Sequence, residues 1–245
     1  MTTLLLEDVV VGRKGFFVGP FTLRAEPGHL VALLGPNGGG KTTLLDTIAG
    51  LIPPMAGSFT LPEGGTLALL PAPGAIDAPF SALHMVMLGG ARNMRWKASF
   101  GGSERAVAQL ALDRLGIGAL AAKPFDRLSS GQKQLVMLAR TTLQDTVLCL
   151  LDEPTAMLDP AQSAGVETAI KGLAQAGRIV LFATHDVALA RQADIVLTVG
   201  TEPVVGEPRG VLTDQQLSQL YGRAIKSCAT CGHSIAETIA ASRIE

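Results

Sequence analysis

The sequence predicts an α/β fold with a mixed sheet, an antiparallel β layer at its N-terminal end and a helical subdomain inserted in the middle. Three observations carry this. Aliphatic runs, Leu30 to Leu34, Val147 to Leu151, Ile179 to Ala183 and Ile195 to Val199, alternate with helix-like stretches at Lys41 to Ala49, Pro160 to Ala176 and Val187 to Arg191. Continuous apolar runs between helices are the mark of parallel strands buried on both faces. Leu4 to Val10 and Phe21 to Ala25, and then the pair Ser58 to Leu61 and Thr66 to Leu70, read as strands of an antiparallel layer, the second pair as a short hairpin. Between Pro71 and Ser129 the strand signal vanishes, and helices are expected at Ser81 to Leu88 and Ser103 to Leu115, separated by Gly89 to Gly102.

The remaining elements follow in order. Ser129, with Gln132 three residues on, opens an amphipathic helix over Lys133 to Leu143. After Gly200 a short apolar piece, Pro203 to Val205, precedes a helix from Asp214 to Tyr221 capped by Thr213. The expected organisation is a single domain over 1–225, with the helical subdomain at about 72–143, and a tail over 226–245.

With 245 residues, 47% hydrophobic and 17% charged, the chain is long enough to bury a core without disulfides. A net charge of −1 gives no electrostatic footprint for nucleic acid and argues against a role coating that polymer, while leaving room for a local basic patch. Mean hydropathy is high at +0.34, yet the longest apolar runs are strand-sized, too short to span a bilayer. Glu7 and Asp8 interrupt the first apolar stretch before a secretory signal forms, which predicts a cytosolic chain. Three cysteines make no disulfide framework. Cys228, Cys231 and His233 stand at metal-ligand spacing in the tail, as an incomplete site or as two reduced thiols and an imidazole.

Chemistry enters at Gly35-Pro36-Asn37-Gly38-Gly39-Gly40-Lys41-Thr42, between a predicted strand and a predicted helix. Glycines let the backbone wrap a triphosphate, and the helix N-terminus adds positive partial charge. Lys41 is placed to reach the β- and γ-phosphates of that triphosphate, Thr42 to offer its hydroxyl to Mg²⁺, and Thr43 to hold the α-phosphate side. Further on, Leu148 to Leu151 end in Asp152-Glu153, two carboxylates at the carboxyl end of a buried strand, where α/β sheets bind ligands. Asp152 is the candidate for the Mg²⁺ shell. Glu153 is the candidate that polarises the attacking water.

At Leu128-Ser129-Ser130-Gly131-Gln132 the sequence resembles the signature of ATP-binding-cassette (ABC) ATPases, with Ser130 in place of the first glycine of its glycine pair. By itself the stretch is an anion-binding helix start or a plain one. The resemblance spans about Leu4 to Tyr221 and implies a P-loop NTPase core. It also implies a head-to-tail homodimer or pseudo-dimer in which Ser129, Ser130, Gly131 and Gln132 of one subunit close over the γ-phosphate held by the other. Ala156-Met157-Leu158-Asp159 is similar to the family's loop that communicates across the dimer, and Asp159-Pro160 also starts a helix well. Thr184-His185-Asp186 is similar to the switch histidine that contacts the γ-phosphate and positions Glu153.

Two departures stand out. The family places a glutamine at the end of the strand before the helical insertion, and Ala72 takes that place here. The aromatic that stacks on adenine is replaced by Gly12 and Arg13, for which Phe16, Phe17 or the Arg13 guanidinium are candidates.

A single compact cassette without membrane spans resembles the ATPase subunit of a bacterial importer. The short 58–70 segment and the ending Gly210 to Gly222 look most like cassettes for metals, iron-siderophores or cobalamin. Sugar and opine cassettes carry a further regulatory domain, for which the length leaves no room. The resemblance then implies integral membrane permease subunits, a periplasmic or lipoprotein substrate-binding protein acting through them, and a peripheral place on the cytoplasmic face of the inner membrane. The contact groove for the permease is expected along Ser81 to Leu88, near Ala72 and at the cluster from Arg92 to Lys97, which also reads as a solvated loop. The alternative is a soluble ATP-driven switch acting on a cytosolic partner, as in iron-sulfur assembly.

Overall fold

Alternating apolar residues build the first layer. β1 (Leu4–Arg13) buries Leu4, Leu6, Val9 and Val11, a register shift between Leu6 and Val9 changing the parity, and β2 (Phe16–Ala25) buries Val18, Phe21, Leu23 and Ala25. The two pair antiparallel. The computed structural model describes residues 3–13, 15–74, 78–93, 102–200, 202–227 and 234–236.

β3 (Leu30–Leu34) is buried along its whole length and feeds the glycine-rich loop and α1 (Lys41–Ile48). β4 (Ala56–Thr60) then pairs antiparallel with β1, and β5 (Leu67–Leu70) pairs parallel with a strand from the far side of the insertion. The expected 58–70 hairpin therefore does not form. Its two arms enter different sheets, because β5 has every second residue buried while β4 lies largely exposed at an edge.

The insertion holds α2 (Ala82–Met87), α3 (Gly102–Arg114) and α4 (Ser130–Leu143), close to the predicted ranges. The core then resumes with β6 (Leu148–Asp152), α5 (Pro160–Gln175), β7 (Ile179–Thr184), α6 (Val187–Ala190), β8 (Ile195–Thr198) and β9 (Val205–Gly206). α7 (Pro208–Val211) and α8 (Asp214–Tyr221) follow, the latter capped by Thr213 as expected. Of the stretch expected to be a tail, β10 (Ile225–Ser227) and β11 (Ser234–Ala236) are paired antiparallel.

The central sheet runs β5-β6-β7-β3-β8-β9, parallel except for β9, which is antiparallel to β8. Its two faces are sorted by the period of a strand. Val31 and Leu33 pack with the β1–β2 layer and with Leu44, Leu45 and Ile48 of α1, while Leu30, Ala32 and Leu34 pack with the helices. Each fully buried leucine there adds roughly 1.5–3 kcal/mol over an exposed one. The stiff centre delivers the carboxyl ends of β3, β6 and β7 to one rim. Among the described residues no helix is long and apolar enough to cross a membrane.

Candidate active site

The loop after β3 is shaped by where a side chain cannot go. A Cβ on Gly35 would stand 2.4 Å from the Val199 carbonyl, and Gly40, at φ 95°, would drive one to 2.9 Å from Phe16 and Val18. Gly40 is the N-cap of α1 and offers no side-chain hydrogen bond, so the first N–H groups of that helix stay open to a ligand. Lys41 is buried, and its Nζ donates to the carbonyls of Gly35 (2.8 Å) and Pro36 (3.1 Å).

The two acids divide the work by environment. Asp152 is 2% exposed. Its Oδ2 accepts from Thr42 Oγ1 at 2.7 Å, and its Oδ1 is buried with no hydrogen-bond partner. Burial pushes this carboxyl above the usual range, opposed by the Thr42 hydrogen bond and by Lys41. A hydroxyl beside an orphaned carboxylate oxygen is an oxygen set that suits a hard divalent cation. Glu153 sits in the left-handed region at φ 47°, a strained place for a glutamate, its N–H donating to the Ala183 carbonyl. This kink turns the side chain out of the strand direction. Oε1 then lies 3.1 Å from Lys41 Nζ as an ion pair, and Oε2 lies 2.9 Å from Nδ1 of His185, at the end of β7.

Thr42, Thr43, Lys41 and residues 37–40 line a cavity of about 420 Å³ together with Asp152, Glu153, Ala72 and Phe16. Ala72 thus borders this cavity, although its side chain offers no ligand. Of the three groups considered as the missing aromatic, Phe16 lies at the cavity; the Arg13 side chain is outside the described residues. So are residues 94–97 and the Cys228, Cys231 and His233 of the tail. Among the described residues no cluster of three metal-ligating side chains occurs.

A second cluster lies apart from this cavity. Ser129 Oγ accepts from Gln132 N at 3.3 Å and Gln132 Oε1 accepts from Ser129 N at 3.2 Å, the reciprocal capping expected from their spacing. Ser129 and Ser130 are exposed, and Gly131 lies against the 156–159 loop, where a Cβ would meet the Met157 carbonyl at 2.7 Å. Asp159 caps α5 by accepting from Gln162 N at 2.8 Å, and Met157 is 73% exposed at φ 63°. The chain therefore brings Lys41, Thr42, Asp152, Glu153 and His185 into one group, and Ser129 to Gln132 with the 156–159 loop into another.

One contact had no sequence signal. Tyr221 Oη donates to the main-chain carbonyl of His185 at 3.2 Å, across 36 positions.

Residues 18–156 match the family model described as ABC transporter. The chain is 33% identical over 215 residues to the zinc transport system ATP-binding protein TroB of Treponema pallidum (strain Nichols), across 84% of this chain and 81% of that one. It is likewise 33% identical over 233 residues to the hemin import ATP-binding protein HmuV of Hahella chejuensis (strain KCTC 2396), across 86% and 89%. Among solved structures, an inward-facing ABC transporter assigned to the metal-chelate type superposes with a TM-score of 0.81 at 28% identity over 96% of both chains. The chain belongs to the ABC transporter family, and within it this is an ATP-binding domain that hydrolyses ATP.

Proposed function

We propose that the protein is the ATPase subunit of an importer for a metal or metal chelate, an iron-siderophore first, then zinc, manganese or cobalamin. It works as a homodimer or pseudo-dimer on permease subunits at the cytoplasmic face of the membrane, fed by a separate substrate-binding protein. The observation that carries the catalytic part is Glu153, held from one side by Lys41 and from the other by His185, beside the Thr42–Asp152 pair. The import part rests on the zinc and hemin relatives and on the metal-chelate structure.

The residues divide the reaction as follows. The open N-terminus of α1 and the N–H groups of Gly38 and Gly40 bind the phosphates, and Phe16 offers its ring to the base. Lys41 moves from the Gly35 and Pro36 carbonyls and Glu153 to the β- and γ-phosphates. That transfer frees a Glu153 oxygen to take a proton from the attacking water, with His185 holding the other oxygen in line. Thr42 and Asp152 are the residues that would hold Mg²⁺, which would supply positive charge to offset that of the phosphates. Ser129 to Gln132 of the opposite subunit close over that phosphate, and Asp159 with its loop carries the closure between the two sites. On the helical subdomain, a cavity of about 690 Å³ bounded by Ser81, Leu83, His84, Arg105 and Gln109 seats the permease's coupling segment.

Glu153→Gln tests the core of this reading. It keeps wild-type nucleotide affinity, loses hydrolysis by about 10²-fold or more, and accumulates as an ATP-bound dimer on gel filtration. A variant that hydrolyses at the wild-type rate overturns the assignment. For the cargo, purification with co-expressed membrane partners followed by metal and chelate analysis is expected to recover iron or another of the named cargoes. Recovery of soluble assembly factors in place of a permease would overturn import.

A further inference from the structure

Tyr221 is the only tyrosine in the chain, and it stands where the last helix of the domain reaches the site. The ring is half-buried and packs against the core between the sheet and the helices, and Arg223 lies over it at 6.0 Å. α8 is fixed at both ends. Thr213 caps its start, and Gly222, left-handed at φ 63°, turns the chain back. From there Ile225 N donates to Ser218 Oγ at 2.9 Å, which itself donates to the Asp214 carbonyl at 2.6 Å. The phenol is therefore delivered to His185 by a braced element.

On the receiving side, His185 lies between the end of β7 and the start of α6. Asp186 N donates to Thr184 Oγ1 at 3.0 Å, and Asp186 Oδ1 accepts from Ala188 N and Leu189 N. The His185 side chain is 58% exposed, so packing does little to fix it. Its ring holds Glu153, and its carbonyl is held by Tyr221. Fixing that carbonyl fixes the peptide between residues 185 and 186, and with it the direction from which the imidazole approaches Glu153.

We infer that Tyr221 is a positioning residue for hydrolysis: its hydroxyl holds the His185 backbone so that the imidazole stays on Glu153, which makes α8 a working part of the catalytic machinery. The inference rests on the roles assigned above to Glu153 and His185. A purely structural tyrosine would need only its ring in the core, and the hydroxyl would be dispensable for turnover.

Tyr221→Phe in the full chain separates the two, because it keeps the ring and removes the hydrogen bond. The expected result is a fall in kcat of about 3- to 10-fold, the worth of one neutral hydrogen bond. KM for ATP and nucleotide affinity should stay within about twofold of wild type, as expected when an interaction serves only the transition state. In a His185→Ala background the same substitution should leave the residual rate unchanged, since the group it positions is gone. A wild-type kcat for Tyr221→Phe, or the same fractional loss in both backgrounds, overturns the inference. If Glu153→Gln is inactive while Tyr221→Phe is wild type, only the tyrosine's role falls. If Glu153→Gln itself turns over normally, the underlying assignment falls and takes this one with it.

Discussion

Two helix starts that the proposed function places at phosphates are built in opposite ways. α1 begins at a left-handed glycine with no side-chain cap, under the buried Lys41, and α4 begins at Ser129 with a complete reciprocal cap and exposed hydroxyls. An uncapped terminus keeps its N–H groups for a ligand, whereas a capped one has already satisfied part of its own demand. The difference teaches which half of the proposed composite site is equipped to bind alone. On the proposed reading, α1 holds nucleotide within one subunit, while α4 is a stable helix first and meets a phosphate only when another surface brings it.

The largest break in this comparison comes from Lys41→Ala. Removing a buried cation proposed to reach two phosphates is expected to cost the isolated chain roughly 1.5–3 kcal/mol of nucleotide binding, about 10- to 150-fold in Kd by equilibrium titration. Ser129→Ala is the matched change on the other side. It should remove about 0.5–2 kcal/mol of stability through the lost cap and slow hydrolysis, while leaving nucleotide affinity of the isolated subunit unchanged. If both variants weaken binding equally, the two termini are not distinct in function.

Ala72→Gln sharpens the same contrast by adding to the α1 half. Ala72 borders the cavity that Thr42 and Asp152 also line, so a glutamine there is placed to reach the proposed Mg²⁺ site. Basal hydrolysis is expected to rise about 2- to 10-fold, or ~0.4–1.4 kcal/mol of transition-state stabilisation. An unchanged rate at saturating Mg²⁺ and ATP, with affinity intact, would mean that the side chain points elsewhere.

The smallest effect is silent at neutral pH. Burial, with the Glu153 charge adding to it and Arg223 opposing, pushes the Tyr221 phenol up to about 12 from 10.0. The folded state then keeps the proton after the unfolded state has lost it, so this group's contribution to stability is constant below pH 10 and falls as pH rises from 10 toward 12. With a single tyrosine, phenolate absorbance reads this directly, and a native-state midpoint near 10 would place the phenol in water.

What was legible in the sequence follows from locality. Lys41 and Thr42, the Asp152-Glu153 pair and the Ser129–Gln132 cap each occupy a few contiguous residues, and each sits at the end of an element whose burial is visible as an aliphatic run. The 58–70 segment misled for a related reason. Gly64 and Gly65 make a convincing turn at φ 89° and 54°, but a turn does not say which sheet its arms join. Pairing with β1 or with β6 is decided by edges available elsewhere in the fold. Which of the candidates Phe16, Phe17 and Arg13 borders the cavity, and the Tyr221 contact with the His185 carbonyl, were hidden because each depends on a distance through space, between residues with no spacing to count.

In the central sheet, Asp152 stands opposite Ala183 and Leu34 opposite Thr184. Neighbouring strands in any sheet lie about 4.8 Å apart, so hydrogen-bond registers alone set how far the glutamate, the histidine and the phosphate loop begin from one another. The sheet is a ruler whose marks are peptide groups. Adding a residue between β5 and β6 lengthens a connection that tolerates it, whereas adding one inside β6 moves Glu153 by a full notch and turns Asp152 to the opposite face. The length of the connection is thus a softer constraint on where these residues begin than the lengths of β3, β6 and β7, which the register holds to the residue.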